Sequence, residues 1–228
     1  MSAEAAVQNR PVEITLGRVT LSGDLELVPG AAGLVLFVHG SGSSRFSSRN
    51  QAVARDLQSG GLSTLLFDLL SADEEAIDQY TRELRFDIPL LTERVVGVTR
   101  WLRGQPETAG LALGYFGAST GAAAALQAAA HFAEEPGIVR AVVSRGGRPD
   151  LAMDSLSRVD APTLLIVGGE DYAVIGMNQH ALERIAAPKE MRLVPGATHL
   201  FEEPGALAEV SRLAREWFRR YLVESPAE

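Results

Sequence analysis

An α/β fold, with a mostly parallel central sheet covered by helices on both faces, follows from how the apolar residues are spaced. Continuous apolar runs of strand length recur along the chain, and segments with helical apolar spacing lie between them. The first segment differs, alternating apolar and polar residues. Runs apolar at every position belong to strands buried on both faces, alternation to strands with one wet face, and strand–helix succession to βαβ units.

Residues 1–11 read as an N-terminal tail and 12–228 as one domain, with no room for a separate cap domain. Val12, Ile14 and Leu16, then Val19 and Leu21, then Leu25 and Leu27 alternate, punctuated by Gly17 and by Ser22-Gly23-Asp24. That pattern predicts short antiparallel strands at one sheet edge. Leu34–Val38 is the first buried strand; Val53, Ala54 and Leu57 mark a helix that stops at Gly60-Gly61. Leu65–Phe67 is the next strand. Residues 71–86, with Asp73, Glu74, Glu75 and Asp78, read as a solvated loop with a little helix, or alternatively as a small lid. Asp87 and Pro89 open a helix whose apolar face is Leu91, Val95, Val98 and Leu102. Leu111–Phe116 is a strand, and an alanine-rich helix follows Gly121. Val139–Val143 and Leu164–Val167 are further strands, Met177, Ala181 and Ile185 mark a helix, and Met191–Val194 is the last strand. Leu207, Val210, Leu213, Ala214, Trp217 and Tyr221 give a long amphipathic final helix.

Composition bounds the chemistry. The 228 residues are 46% hydrophobic and 22% charged, as in ordinary globular proteins. A net charge of -8 repels phosphate backbones and anionic lipid, so neither nucleic acid nor a membrane surface is an expected partner. With no cysteine, disulfides, thiolate catalysis and Cys-ligated metals are excluded. No stretch approaches the ~20 apolar residues of a membrane span, and the first residues lack the apolar run of a signal peptide, so a cytoplasmic protein is expected.

Ligands of such sheets bind beyond the C-terminal strand ends, which makes the loops after strands the informative ones. The strand Leu111–Phe116 runs into Gly117-Ala118-Ser119-Thr120-Gly121 and then directly into a helix, giving G-x-S-x-G in a strand–turn–helix setting. Such a turn lifts the serine hydroxyl above the sheet and needs small residues two before and two after it. A phosphate loop does not fit, because no lysine follows the glycines.

A serine hydroxyl needs a base. Of four histidines, His199 stands on the loop after the last strand; His39 reads as shaping its own loop, and His131 and His180 as surface or packing residues. The acid that orients the base is assigned to Asp171, in Gly168-Gly169-Glu170-Asp171 after a strand, with Asp150 and Glu170 as alternatives and helix capping as its other use. Two backbone donors for an oxyanion are expected from the N–H of Thr120 and, within His39-Gly40-Ser41-Gly42-Ser43-Ser44, from the N–H of Ser41. Arg45, Arg145 and Arg148 all follow strands and are candidates for binding a substrate carboxylate, or else partners of local acids.

His39-Gly40-Ser41-Gly42, Gly117–Gly121, Gly168–Asp171 and Gly196-Ala197-Thr198-His199, in this order, resemble the α/β-hydrolase superfamily over nearly the whole chain. The cap-less layout resembles its dienelactone hydrolase-like branch. Dienelactone hydrolases proper carry a cysteine where this chain has Ser119. The resemblance implies the α/β-hydrolase fold and neither a metal nor an organic cofactor. With serine in place, it implies hydrolysis of a small-molecule carboxylic ester through a Ser-His-Asp triad. Thioesterase, peptidase and cofactor-free perhydrolase activity would use the same residues, and a non-catalytic ligand-binding protein is the alternative from another class. A monomer and a homodimer are equally compatible with the sequence.

Overall fold

A computed structural model describes residues 8–224 of the chain. It contains an eight-stranded sheet in the order β1-β2-β4-β3-β5-β6-β7-β8. The strands are β1 (Gln8–Leu16), β2 (Val19–Leu27), β3 (Gly33–Val38), β4 (Ser63–Phe67), β5 (Ala112–Ala118), β6 (Ala141–Arg145), β7 (Thr163–Gly168) and β8 (Lys189–Val194). β1 and β2 pair antiparallel, β2 joins β4 antiparallel, and every other pairing is parallel. The helices are α1 (Ser48–Ser59), α2 (Ala72–Thr81), α3 (Ile88–Gly104), α4 (Thr120–His131), α5 (Met153–Leu156), α6 (Tyr172–Arg184) and α7 (Ala206–Phe218). None is long and apolar enough to cross a membrane.

The continuous apolar run of β3 has its cause in the two layers. Leu34, Leu36 and Val38 face a core shared with Leu91, Val95 and Ala123, whereas Val35 and Phe37 face one shared with Val53, Val210 and Trp217. Successive side chains point to opposite faces, so a strand covered on both faces is apolar throughout.

Three elements differ from expectation. The predicted tail 1–11 is shorter, because β1 begins at Gln8; residues 1–7 lie outside the described part. The Ser22-Gly23-Asp24 cluster does not interrupt a strand: Gly23 pairs with Val12 on one side and Phe67 on the other. A Cβ there would sit 3.1 Å from Leu65 Cδ1, so this glycine yields space to neighbouring side chains instead of making a turn. Residues 71–86 hold a ten-residue helix, α2, where a solvated loop with only a little helix was expected. Its start is a capping box, with Ser71 N–H donating to Glu74 Oε2 at 2.8 Å and Glu74 N–H to Ser71 Oγ at 3.2 Å. Its end is pinned by the fully buried Asp78, which accepts from Arg85 Nε at 2.5 Å and Leu84 N–H at 2.7 Å. Burial alone would raise the Asp78 carboxyl, but these donors outweigh it and hold the group below the usual carboxylate range.

Connections leave the middle of the sheet in opposite directions. The chain passes from β3 outward to β4, then back across β3 to β5. The crevice beyond the C-terminal ends of β3 and β5 is therefore the topological switch point where a ligand site is expected.

Candidate active site

Ser119 stands at that crevice, between β5 and α4, with φ 51° and ψ -123°. Left-handed φ is costly for a non-glycine residue and persists only where the surroundings enforce it. Here the β6 loop does so. Ser119 N–H donates to Arg145 O at 3.2 Å, and Arg148 N–H donates to Ser119 O at 3.1 Å. The flanking glycines are required by contact: a Cβ on Gly117 would lie 2.5 Å from Ala122 Cα, and one on Gly121 2.8 Å from the His39 carbonyl carbon.

His199 Nδ1 and Asp171 Oδ2 lie 2.7 Å apart. Against an ionised carboxylate Nδ1 must carry the proton, leaving Nε2 as an acceptor. Asp171 heads α6 without capping it, so its carboxylate serves His199 and not the helix. The alternative acids are engaged elsewhere: Glu170 accepts from the Tyr172 hydroxyl, and Asp150 takes a two-pronged contact from Arg148 at 2.7 and 2.8 Å. Gly168 lets the β7 and β8 loops touch, since a Cβ there would lie 2.6 Å from Thr198 O.

The His199 loop has a brace that sequence reasoning missed. Glu203 Oε1 accepts from Thr198 N–H at 3.0 Å and from Thr198 Oγ1 at 2.5 Å. Phe201, buried and at φ 56°, plugs the loop from below. Nothing in residue spacing announces either role.

Gly146 links the two halves of the site. Its Cβ position is 3.1 Å from His199 O and 3.6 Å from His199 Cε1, and it follows Arg145, whose carbonyl receives the Ser119 N–H. His199 and Ser119 thus flank one peptide of the β6 loop. They are not hydrogen-bonded to each other within 3.5 Å, a spacing that often tightens when substrate binds.

The loop after β3 packs against the turn that carries Ser119, with the Gly40 Cβ position 3.1 Å from Ser119 Cβ. Ser41 N–H, one expected oxyanion donor, points at Thr120 Oγ1 and donates to it at 2.8 Å. The other expected donor, Thr120 N–H, is at the first turn of α4, where backbone N–H groups have no partner within the helix.

His39 shapes this loop. Leu69 N–H donates to His39 Nε2 at 3.1 Å, so Nδ1 carries the proton and donates to Gly40 O at 2.9 Å. Burial holds the imidazole below its ordinary value of 6.5, and the neutral ring is the one these contacts need. Below 6.5 the unfolded chain binds a proton that the folded chain refuses, so this contribution to stability is present above 6.5 and lost as pH falls. The thermal midpoint should drop between about pH 7.5 and 5.5, and His39→Gln should flatten that drop. An equally steep drop in the variant would remove His39 as its source. His131 and His180 are both exposed; His131 packs edge-on against Phe132, and His180 lies 3.7 Å from Glu183.

The three candidate arginines separate. Arg45 is ion-paired with Asp68 and lies 3.2 Å from Asp24 Oδ2, and Arg148 is bound to Asp150. Arg145 lies within 4.0 Å of no carboxylate among the described residues. Beyond the β3 loop a cavity of about 650 Å³ opens between Ser43, Ser44 and Arg45 on one side and Ser71, Ala72 and Glu75 on the other. The start of segment 71–86 is therefore one wall of that cavity.

The profile of the dienelactone hydrolase family matches residues 48–222, a span that includes Ser119, Asp171 and His199. The chain belongs to the dienelactone hydrolase family. The crystal structure of a dienelactone hydrolase from Anabaena variabilis is 58% identical, superposes with a TM-score of 0.92 and covers 95% of this chain and 99% of its own. It thus extends the likeness beyond the residues that the family profile matches. Est1E from Butyrivibrio proteoclasticus, at 15% identity and a TM-score of 0.76, shares the α/β-hydrolase fold over 92% of this chain and 98% of its own. A Mycobacterium tuberculosis protein named as a phosphoribosyl transferase is 52% identical over 222 residues, which is 97% of this chain and 48% of that protein. The chain therefore spans about half the length of this relative. The family is one of hydrolases, and this chain carries serine in the turn after β5.

Proposed function

We propose that the chain is a serine hydrolase that cleaves a carboxylic ester of a small molecule through Ser119, His199 and Asp171. The observation that carries this reading is the 2.7 Å contact between His199 Nδ1 and Asp171 Oδ2, made by a carboxylate that forgoes the helix cap beside it. Asp171 holds the imidazole with Nε2 free. As Ser119 Oγ attacks the ester carbonyl carbon, Nε2 takes the hydroxyl proton and the carbonyl electron pair moves onto oxygen. That oxygen is received by the N–H groups of Thr120 and Ser41, the latter released when the Thr120 side chain rotates away from it. Collapse expels the alcohol, protonated by His199. Water then gives its proton to His199, attacks the acyl carbon and returns Ser119 with a carboxylic acid as product.

The name of the mycobacterial relative does not alter this reading. Phosphoribosyl transfer is said of a protein about half of which has no counterpart in this chain.

Labelling with a fluorophosphonate probe, followed by peptide mapping, tests the proposal. Modification confined to the peptide bearing Ser119, and lost in Ser119→Ala together with ester hydrolysis, is the expected result. Folded protein that takes no label, or a Ser119→Ala variant that still hydrolyses esters, would overturn it and favour a ligand-binding protein on the same fold.

A further inference from the structure

The cavity of about 650 Å³ beside the β3 loop is polar where small-molecule pockets are mostly apolar. It lies between the β3 loop and the start of α2, with Asp68, just after β4, in its wall. Arg45 is the one arginine in its lining, and there is no lysine. That guanidinium is already neutralised: it pairs with Asp68 and lies 3.2 Å from Asp24 Oδ2. The first turn of α2 adds Asp73, Glu74 and Glu75. An anion would therefore meet no unpaired cation here, and three carboxylates at the helix start.

The lining offers hydroxyl protons instead. Ser44, Ser47 and Ser71 each accept a backbone N–H through Oγ, from Phe46 at 3.2 Å, Asn50 at 3.3 Å and Glu74 at 3.2 Å. These oxygens are thus held in place, and each O–H proton is left to donate. Glu75 supplies an acceptor, because its side chain is 55% exposed and Arg85 Nη2 stands off at 4.0 Å, beyond hydrogen-bond length. Phe46 supplies an apolar wall. It is 62% exposed, with the Arg45 guanidinium 4.1 Å from its ring centroid. Fixed donors, a carboxylate acceptor and a flat ring match closely spaced hydroxyls on a saturated carbon ring. Such hydroxyls donate to the carboxylate and accept from the serines, while the C–H bonds of the ring lie against the negative face of the aromatic.

The cavity shares its loop with the catalytic centre. Gly42 and Ser43 line it, and they also line a narrow cleft that continues to Gly40 and Ser41. Ser41 gives its N–H to Thr120 Oγ1, and the Gly40 Cβ position is 3.1 Å from Ser119 Cβ. Gly40 and Gly42 are two chain steps apart, at most about 7.6 Å. One small molecule can span that distance.

We propose that this cavity is a subsite for a sugar or other polyhydroxylated group, which the enzyme releases as the alcohol half of an O-acyl ester. The assignment rests on the hydrolase reading for that release but not for binding of the sugar. The bond broken joins the acyl carbon to the sugar oxygen. His199 gives the proton to that oxygen, and water completes the carboxylic acid.

The test uses Ser119→Ala protein, in which turnover cannot interfere, titrated in a calorimeter with methyl glucoside, cyclohexylmethanol and inorganic phosphate. Methyl glucoside should bind. Cyclohexylmethanol, a ring of the same size without the ring hydroxyls, should bind at least about 10-fold more weakly. Affinity for the glucoside should fall at least about 10-fold on adding Glu75→Ala and about 3- to 10-fold on adding Phe46→Ala. Both side chains are more than half exposed, so neither truncation endangers the fold. Leu193→Ala, on β8 at the far edge of the sheet, should leave glucoside binding unchanged. In the active enzyme, two acetates are compared, that of methyl glucoside at its primary hydroxyl and cyclohexylmethyl acetate. The ratio of their kcat/KM values should fall by the same factors in Glu75→Ala and Phe46→Ala. Absence of glucoside binding, binding unchanged in both variants, or tighter binding of phosphate would overturn the proposal. Glucoside binding that depends on Glu75 and Phe46, in a protein that hydrolyses no ester, would sink the hydrolase reading and leave the sugar site standing. Ester hydrolysis with no glucoside binding would sink the sugar site alone.

Discussion

Asp171→Asn lowers kcat by about 10⁴-fold with a much smaller change in KM, in a protein that folds normally. An asparagine fits the space and keeps a hydrogen bond to Nδ1 of His199. Its amide has no charge to stabilise the imidazolium, and its NH₂ group favours the tautomer protonated at Nε2. The Ser119 proton then has no acceptor. Steady-state rates on a chromogenic ester measure the effect. Glu170→Gln and Asp150→Asn serve as comparisons, because their carboxylates are bound to Tyr172 and Arg148. Both should keep kcat near that of the parent enzyme. An equal loss in Glu170→Gln would reassign the acid.

Gly121→Ala should destabilise the protein by more than about 3 kcal/mol or prevent folding, an overpacking effect at the severe end of its range. The added methyl would meet the carbonyl groups of Val38 and His39, which are backbone and have nowhere to go. Moving them would detach α4 from β3 and open the turn that strains Ser119. Gly176→Ala is the matched control. Gly176 lies in α6 with nothing within 4 Å of its Cβ position, so the same methyl should stabilise by about 0.5–1 kcal/mol through backbone entropy. Urea denaturation of the two variants should give shifts of opposite sign. If Gly121→Ala folded with parental stability, the close approach of elbow and β3 loop described here would be wrong.

Much of the site was legible because its demands are local. The elbow needs small residues at fixed offsets from Ser119 between a strand and a helix, and those offsets survive in one dimension. His199 could be chosen because the other histidines lie on helices or end a strand. Even α2 had a local mark, the Ser71 and Glu74 capping pair, although its sparse apolar residues concealed the helix behind it.

What stayed illegible depends on partners far apart in the chain. Asp150, Glu170 and Asp171 all follow strands and are chemically alike. They are told apart by Arg148, Tyr172 and His199 having reached them first. The same holds for the arginines: Asp24 and Asp68 neutralise Arg45, and Asp150 neutralises Arg148, while Arg145 is left with Asn50. By itself the sequence determined the order of strands and helices, the strained serine and the histidine, since these follow from apolar periodicity and from steric limits on neighbouring residues. Tertiary structure alone decided which carboxylate pairs with His199, which N–H meets the Thr120 hydroxyl and which arginine has an amide in place of a carboxylate as its partner. Hydrogen bonds and ion pairs are set by distances across the sheet's C-terminal edge, and such distances have no image in the spacing of residues along the chain.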